Sequence, residues 1–355
     1  MQEVKIDSQA IDNLKDFKNP QDIQFGKTLV PAMIRATYKD GKWSPLEMVP
    51  YQKILIDPAA KVLHYAQEIF EGLKSYKNEE DEVFLFRPLE NAKRFNFSAT
   101  RMGMPKLDHE TFMLSLETLV KYSHHTFTTD IADSFYLRPF MFGDEPQLGV
   151  KPSSTYQYYL IGGPAGNYFT KPNVKVRVEH QSHRASAHGI GSAKTGGNYA
   201  ASMSASFETS KIGYDQTLWL DPTHSEYIEE LSGMNFFAVI DGVLTTPKLT
   251  DSILHGITRA SLLELAKSMG VEVIEKSISI NELMDQIDNK ECTELFASGT
   301  ASVLTPIECL MYKGREATVK SPEGDFSLKL RKRLQEIQTG RCEDPFTWRH
   351  QVRLD

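Results

Sequence analysis

The segment GSAKTGGNYAAS, residues 191–202, sets a single lysine, Lys194, among small residues. A long cationic side chain ordinarily stands on a solvated face, so a surface turn is the bland account of this one. A desolvated lysine amine is also a nucleophile toward carbonyls and forms Schiff bases with them. On that account the glycines let the backbone close up against a bulky bound group. Three more segments carry chemistry that could belong with it. YIEELSGMNFF places Glu229 and Glu230 beside an apolar run. Such a pair usually marks a solvated turn, but a carboxylate that points inward needs a cationic or protonated partner. LHGITRAS has Gly256 opening a helix, whose first amides, at Ile257 and Thr258, make an anion cradle. FASGTASVL ends a strand with Ser298, Gly299, Thr300 and Ala301, again amides and hydroxyls fit for phosphate.

Taken singly, each of the last two reads equally well as a helix cap or a turn. Together the four meet the needs of one cofactor: an aldehyde for the lysine, a pyridine nitrogen for a carboxylate, a phosphate for the amides. That cofactor is pyridoxal 5′-phosphate. Other chemistries find less support. His124 and His125 are adjacent, point to different sides, and have no carboxylate or cysteine at ligand spacing, so no metal site is expected. The His64–Tyr65 pair lacks a second ligand nearby. Cys292, Cys309 and Cys342 form no CxxC, and the chain contains no GxSxG elbow, no GxGxxG after a strand and no P-loop.

The elements that must position these residues follow from patterning. At 355 residues the chain is long enough for two cores, and its composition is that of an ordinary globular protein. A net charge of −7 argues against nucleic acid, and no apolar run approaches the roughly 20 residues that span a bilayer. The N-terminus shows no secretory signal, and three scattered cysteines suit a reducing compartment, so a cytoplasmic protein is expected. TLVPAMIRATY, KILID, EVFLFRP, SFYLRPFMF and TYQYYLIGG read as β-rich runs. HYAQEIFEGLKSYKN reads as a helix running toward a strand, and PLENAKRFNFSATRMGMP as a helix stopped by Gly103 and Pro105. DHETFMLSLETLVKYSHH is an amphipathic helix with Phe112, Leu116, Leu119 and Val120 on one stripe. Glycines and prolines in GPAGNYFTKPN mark a linker. Beyond it, strands VKVRVEH, QTLWLD, NFFAVID, VEVIEKSI and TELFASGT are interspersed with the glycine loop and its helix, ITRASLLELAKSMG and INELMDQID. The expected fold is mixed α+β in two domains. A smaller N-terminal α/β domain takes 1–164, an interdomain loop 165–176, and a larger domain carrying the lysine 177–355.

From FGKT (25–28) to SGTAS (298–302) the chain resembles the branched-chain amino-acid aminotransferases, fold-type IV pyridoxal-phosphate enzymes. KTGGNYAAS, EELSGMN and LHYAQEIFEG carry the resemblance, with GITR and SGT weaker but correctly spaced. It implies that Lys194 holds the cofactor as a Schiff base and then shuttles the proton. It implies that Tyr199 bonds the ring phenolate oxygen, that Glu230 sits at the pyridine nitrogen, and that Arg94, Ile257, Thr258 and Thr300 grip the phosphate. For substrate it nominates Tyr136 and Arg138, with Arg138 serving the distal carboxylate of glutamate. Ala301 and Ser302 would serve the α-carboxylate, and Phe25, Phe70 and Tyr168 the apolar wall. Tyr65, Leu148 and Val150 match positions that reach in from a neighbouring subunit, which implies a homodimer. The implied reaction exchanges the amino group between L-leucine, L-isoleucine or L-valine and 2-oxoglutarate. Two departures stand out. Some members carry a CxxC thiol switch where this chain has Ser302 and Thr305, so such regulation is expected to be absent. Some carry a threonine at Gly233, whose hydroxyl role could pass to Ser232 or to backbone. The rival readings are a D-amino-acid aminotransferase or aminodeoxychorismate lyase on the same fold and, more remotely, a non-catalytic vitamin B6 carrier.

Overall fold

The computed structural model describes residues 3–23, 25–166 and 171–355. It divides into two compact units: Met1–Tyr168 with Ala193–Gly196 and Glu336–Asp355, and Phe169–Ser192 with Gly197–Gln335.

The first unit is built on a sheet with, among the described residues, ten strands. Its centre is the antiparallel pair Ser134–Gly143 and Tyr156–Ala165, matched from Ser134↔Ala165 to Gly143↔Tyr156. Successive side chains alternate across such a strand. Phe135, Leu137 and Met141 therefore enter the main core, and Tyr136, Arg138, Phe140 and Phe142 face the other way. Helices Ser8–Asp16, Pro88–Arg101 and His109–Ser123 close the core through Leu14, Phe95, Ala99, Phe112, Leu116, Leu119 and Val120. Each large apolar side chain buried there contributes about 1.5–3 kcal/mol. The stripe read from the sequence is the buried stripe, and Asp108 caps its helix by accepting from Thr111 N at 2.7 Å. Gly103, at φ +64°, ends the preceding helix as expected. His124 and His125 bond the carbonyls of Lys121 and Leu14.

Two expectations for this unit change. HYAQEIFEGLKSYKN ends in a strand, Leu73–Lys77, as read, but its helical part is only the end of Lys61–Tyr65; Ala66 is left-handed (φ 48°), and Glu68–Phe70 then joins Ser134–Gly143 as a strand. Tertiary pairing outweighs the helical look of alternating acids and apolar residues. KILID forms no strand, because no neighbouring strand pairs with it, and Leu55 in it is fully exposed.

In the second unit VKVRVEH, QTLWLD, NFFAVID, VEVIEKSI and TELFASGT form strands as read, and Ile228–Leu231, Val243–Pro247, Val303–Tyr312 and Arg315–Thr318, not expected as strands, join them. Ile228–Leu231, Gln216–Leu220, Val174–Glu179, Val303–Tyr312, Cys292–Gly299 and Asn235–Ile240 follow one another, and Glu230↔Asn235 links the last to the first, closing a ring of six. Val174–Glu179 runs parallel to both of its neighbours, which makes the sheet mixed. Val176, Leu218, Phe236, Leu295 and Leu310 form the core with Leu283 and Ile287 of the helix Ile280–Asp288. Helix Ile257–Ser268 follows the LHG turn.

The division differs from an unbroken 177–355 domain at two places. The Lys194 carbonyl accepts from Phe70 N at 3.0 Å and its amide donates to Ser98 Oγ at 2.9 Å, which ties 193–196 to the first unit. The C-terminal strand Arg349–Val352 pairs with Val83–Phe86, and Arg87 N donates to Trp348 O. Backbone hydrogen bonds, which carry no sequence pattern, decide both.

Candidate active site

In the first unit Lys194 is half-buried, its backbone held by the two bonds just described. Its Nζ lies 4.9 Å from the centre of the Phe70 ring, within the range of a cation–π contact. The same ring carries the Arg138 guanidinium at 4.8 Å. Arg138 Nη2 donates to Tyr136 OH at 3.0 Å, and Phe25 packs edge-on against the Tyr136 ring at 4.8 Å. Period-two alternation explains the grouping: Tyr136 and Arg138 share one face of their strand. Gly72 is required beside them, since a Cβ there would lie 2.0 Å from Tyr136 OH. Lys194, Phe70, Arg138, Tyr136 and Phe25 thus come together within one unit.

Arg94 is committed to a partner that sequence reasoning missed. Its Nε and Nη2 fork onto Glu71 at 2.7 and 2.8 Å, and Asn91 Nδ2 adds a bond at 2.8 Å. Glu71 is fully buried. Burial alone would raise its carboxyl, but the Arg94 charge and hydrogen bonds, with help from the Lys194 ammonium and Asn91, bring it below the ordinary range. The forked geometry expected for a phosphate is therefore made to a carboxylate. Tyr65 OH donates to the Leu148 carbonyl, and Leu148 and Val150 are 60% and 87% exposed. Tyr168 lies outside the described residues.

The second unit holds the carboxylate pair. Glu229 and Glu230 are 4% and 3% exposed, so the solvated-turn account fails for both. Glu230 receives Arg184 Nη2 at 2.7 Å, Asn235 Nδ2 at 3.0 Å and Leu254 N at 3.0 Å. Arg184 Nη2 also donates to Gly191 O, at 2.9 Å, and to Ser252 O. Glu229 takes a hydrogen bond from Ser252 Oγ. Burial pushes its carboxyl up to about 7, against Ser252 and Arg184 and with repulsion from Glu230 and Asp221.

Asn235 links Glu230 to the helix Ile257–Ser268. Its Nδ2 also donates to Leu254 O at 3.0 Å, and a Cβ on Gly256 would lie 1.9 Å from its Oδ1. Gly256 caps that helix without a side-chain hydrogen bond. The Gly299–Ser302 turn is seated nearby: a Cβ on Gly299 would meet Met234 Cγ at 3.2 Å, and Ser302 Oγ contacts Met234 Sδ at 3.5 Å. Val303 follows it at φ +63°, a strained conformation for a β-branched residue. Ser298 Oγ is buried with no hydrogen-bond partner among the described residues. A Cβ on Gly233 would lie an ordinary 3.9 Å from Tyr199 Cε1, which places the Tyr199 ring beside that turn. Ser232, one candidate for the hydroxyl role missing at Gly233, is engaged within the unit. Its Oγ accepts from Trp219 Nε1 at 3.1 Å and bonds Ser206 Oγ at 3.2 Å.

A deeply buried carboxylate with a guanidinium counter-ion, a helix start with no side-chain cap and an orphaned hydroxyl suit an aromatic phosphate with a basic ring nitrogen. The close packing permitted by glycines near the lysine is partly to the protein itself: Gly196 faces Glu68 Oε1 and Gly191 faces Ser252 Cα. Burial lifts the Cys292 and Cys309 thiols to about 12 and about 11, so both stay protonated at neutral pH. Among the described residues no cluster of three or more His, Cys, Asp or Glu is placed to hold a metal, and no helix is long and apolar enough to cross a membrane.

Residues 68–309 match the family described as amino-transferase class IV. Branched-chain-amino-acid transaminase 1 of Bacillus subtilis (strain 168) is 41% identical over 344 residues, covering 95% of this chain and 96% of its own. The branched-chain-amino-acid aminotransferase of Mycolicibacterium smegmatis is 42% identical over 334 residues, 91% of this chain and 90% of its own. Among solved structures, the Escherichia coli branched-chain amino acid aminotransferase superposes with a TM-score of 0.75 at 29% identity, over 90% of this chain and 99% of that one. The T.th. branched-chain amino acid aminotransferase complexed with N-(5′-phosphopyridoxyl)-L-glutamate gives 0.73 at 26% identity, over 90% and 98%. With lysine, carboxylate and helix start set as described, this chain belongs to the class IV amino-transferases and, within them, to the branched-chain-amino-acid aminotransferases.

Proposed function

We propose that the protein transfers the amino group reversibly between L-leucine, L-isoleucine or L-valine and 2-oxoglutarate, with pyridoxal 5′-phosphate as cofactor. The observation that carries this reading is the Lys194 amine and the Arg138 guanidinium over one aromatic ring, Phe70. That arrangement offers a base, an apolar wall and a carboxylate receptor in one place. When bound, the cofactor supplies the aldehyde carbon and the electron-accepting ring. Lys194 Nζ takes the proton from the amino acid's Cα, and the surrounding apolar surface keeps water from competing for it. Glu230, paired with Arg184, keeps a proton on a ring nitrogen through opposite charge. Ile257, Thr258 and Thr300 bind phosphate with amides and hydroxyls, Arg94 assists from its Glu71 pair, and Tyr199 bonds the ring oxygen. Ala301 and Ser302 receive the α-carboxylate. Arg138, steadied by Tyr136, receives the distal carboxylate of glutamate, while Phe25, Phe70 and Tyr168 contact branched side chains.

A methylene in an apolar pocket discriminates by only ~1–3 kcal/mol. All three branched-chain amino acids are therefore expected to react with 2-oxoglutarate, with kcat/KM values within about 200-fold of one another. Steady-state rates for leucine, isoleucine, valine, phenylalanine and D-alanine test this. Turnover of D-alanine alone would end the reading in favour of a D-amino-acid enzyme.

We also propose a homodimer. Tyr65, Leu148 and Val150 are apolar and exposed, and the Tyr65–Leu148 bond presents them as one patch. Light scattering should report two chains per particle, and Leu148→Asp should shift the mass toward one. A native particle of one chain refutes the dimer. We place the protein in the cytoplasm, where cysteine thiols stay reduced.

A further inference from the structure

Glu68 has no role in the chemistry above, yet it is in direct contact with the segment that carries the lysine. It opens the strand Glu68–Phe70, two residues before Phe70, and therefore shares that residue's face. Its Oε1 accepts the Gly196 amide and, at 3.4 Å, the Thr195 hydroxyl. At the other end of the strand Phe70 N donates to the Lys194 carbonyl at 3.0 Å. One short strand thus grips Lys194–Gly196 twice, by a side chain and by the backbone. Gly196 begins the helix Gly196–Lys211, where unpaired amides and the helix dipole favour a carboxylate. The contact leaves no space, because a Cβ on Gly196 would sit 2.4 Å from Glu68 Oε1. Burial holds the Glu68 carboxyl above its ordinary range, opposed by the Gly196 amide, Thr195 and the charge of Arg138.

We propose that Glu68 is a positioning residue for transamination: by accepting the Gly196 amide it fixes the turn from which the Lys194 amine projects, so that the amine stays over Phe70. This rests on the role proposed for Lys194. The acceptor oxygen, rather than the charge, does the positioning, so glutamine can substitute and alanine cannot. The negative charge has a second effect, because it offsets part of the Arg138 field that attracts the dicarboxylic substrate.

The test pairs kinetics with a readout that needs no turnover. Glu68→Ala should lower kcat about 10- to 100-fold, as a slightly misplaced catalytic group does, with the leucine KM little changed. Glu68→Gln should restore kcat to near the native value and lower the KM for 2-oxoglutarate. Hydrogen exchange of the Gly196 amide should be slow in the native chain and in Glu68→Gln, and fast in Glu68→Ala. Gly196→Ala, which pushes the carboxylate away, should reproduce the kcat loss and add little to it in the Glu68→Ala background. That variant also covers the case in which Glu68→Ala does not fold. Native kcat in Glu68→Ala, or a Glu68→Gln enzyme as slow as Glu68→Ala, overturns the proposal. A native protein inactive with leucine but showing the expected exchange pattern counts against the proposed function and leaves the positioning standing.

Discussion

The Lys194→Ala enzyme is expected to transaminate leucine at least about 10³-fold more slowly than the native chain and to lose the near-visible absorbance of its covalently held cofactor. Its melting temperature should hardly move. The reason is where the lysine is fastened. Both bonds that hold residue 194, from its amide to Ser98 Oγ at 2.9 Å and to its carbonyl from Phe70 N at 3.0 Å, belong to the main chain and survive truncation. What disappears is the ammonium over Phe70, worth about 0.5–1 kcal/mol at a partly exposed position, and one of the charges that keep Glu71 ionised. Arg94 supplies the rest of that stabilisation through its two-pronged pair. Structure and chemistry are therefore separable at this position. Thermal melts, absorbance and leucine turnover of the purified variant provide the check, and a rate within about tenfold of native would remove Lys194 from the mechanism.

How far the molecule could be read from its sequence depended on whether the deciding interaction was local. The helix His109–Ser123 was legible because its stripe repeats at helical spacing and Asp108 stands where a cap must. The strands Val174–Glu179, Gln216–Leu220, Asn235–Ile240 and Cys292–Gly299 were legible because bounded apolar runs have few alternatives. Lys194 could be singled out because a lysine among glycines is chemically odd, whereas Glu230 was told from Glu229 only by the family resemblance. Partners themselves left no trace. Arg184 sits in EHQSHRAS with nothing to mark it as the counter-ion of a residue 46 positions later (230 − 184). Glu68 and Glu71 look like one acidic helix face, yet they occupy a strand and the turn after it, and bind Gly196 and Arg94 respectively. The return of 193–196 and of the last 20 residues to the first unit rests mainly on backbone hydrogen bonds, to which every residue type contributes alike.

The second large effect is expected at Glu230, and its neighbour serves as the control. Glu230→Gln should lower turnover by at least about 10²-fold, because an amide cannot stabilise a proton on a ring nitrogen as an anion does. The substitution also takes the carboxylate from Arg184, which is 4% exposed, and breaking a buried pair costs about 3–5 kcal/mol. Rates must therefore be read per folded molecule. Part of that cost is offset locally, since Arg184 Nη2 keeps its bonds to Gly191 O and Ser252 O. Glu229→Gln should behave in the opposite way. With its carboxyl at about 7 in the folded protein against 4.5 unfolded, Glu229 keeps a proton on folding that the open chain releases. The stability this provides is complete below pH 4.5 and is lost as pH rises through 7, on the order of 3 kcal/mol in all. Glutamine mimics the protonated acid and still accepts from Ser252, so the variant should match the native chain near pH 5 and melt several degrees higher at pH 8. Its turnover should stay close to native. Melting curves at the two pH values, with leucine turnover of both variants, distinguish the two acids. If Glu229→Gln were the inactive variant and Glu230→Gln the active one, the ring-nitrogen role would pass to Glu229 and the function assigned to the Arg184–Glu230 pair would fall.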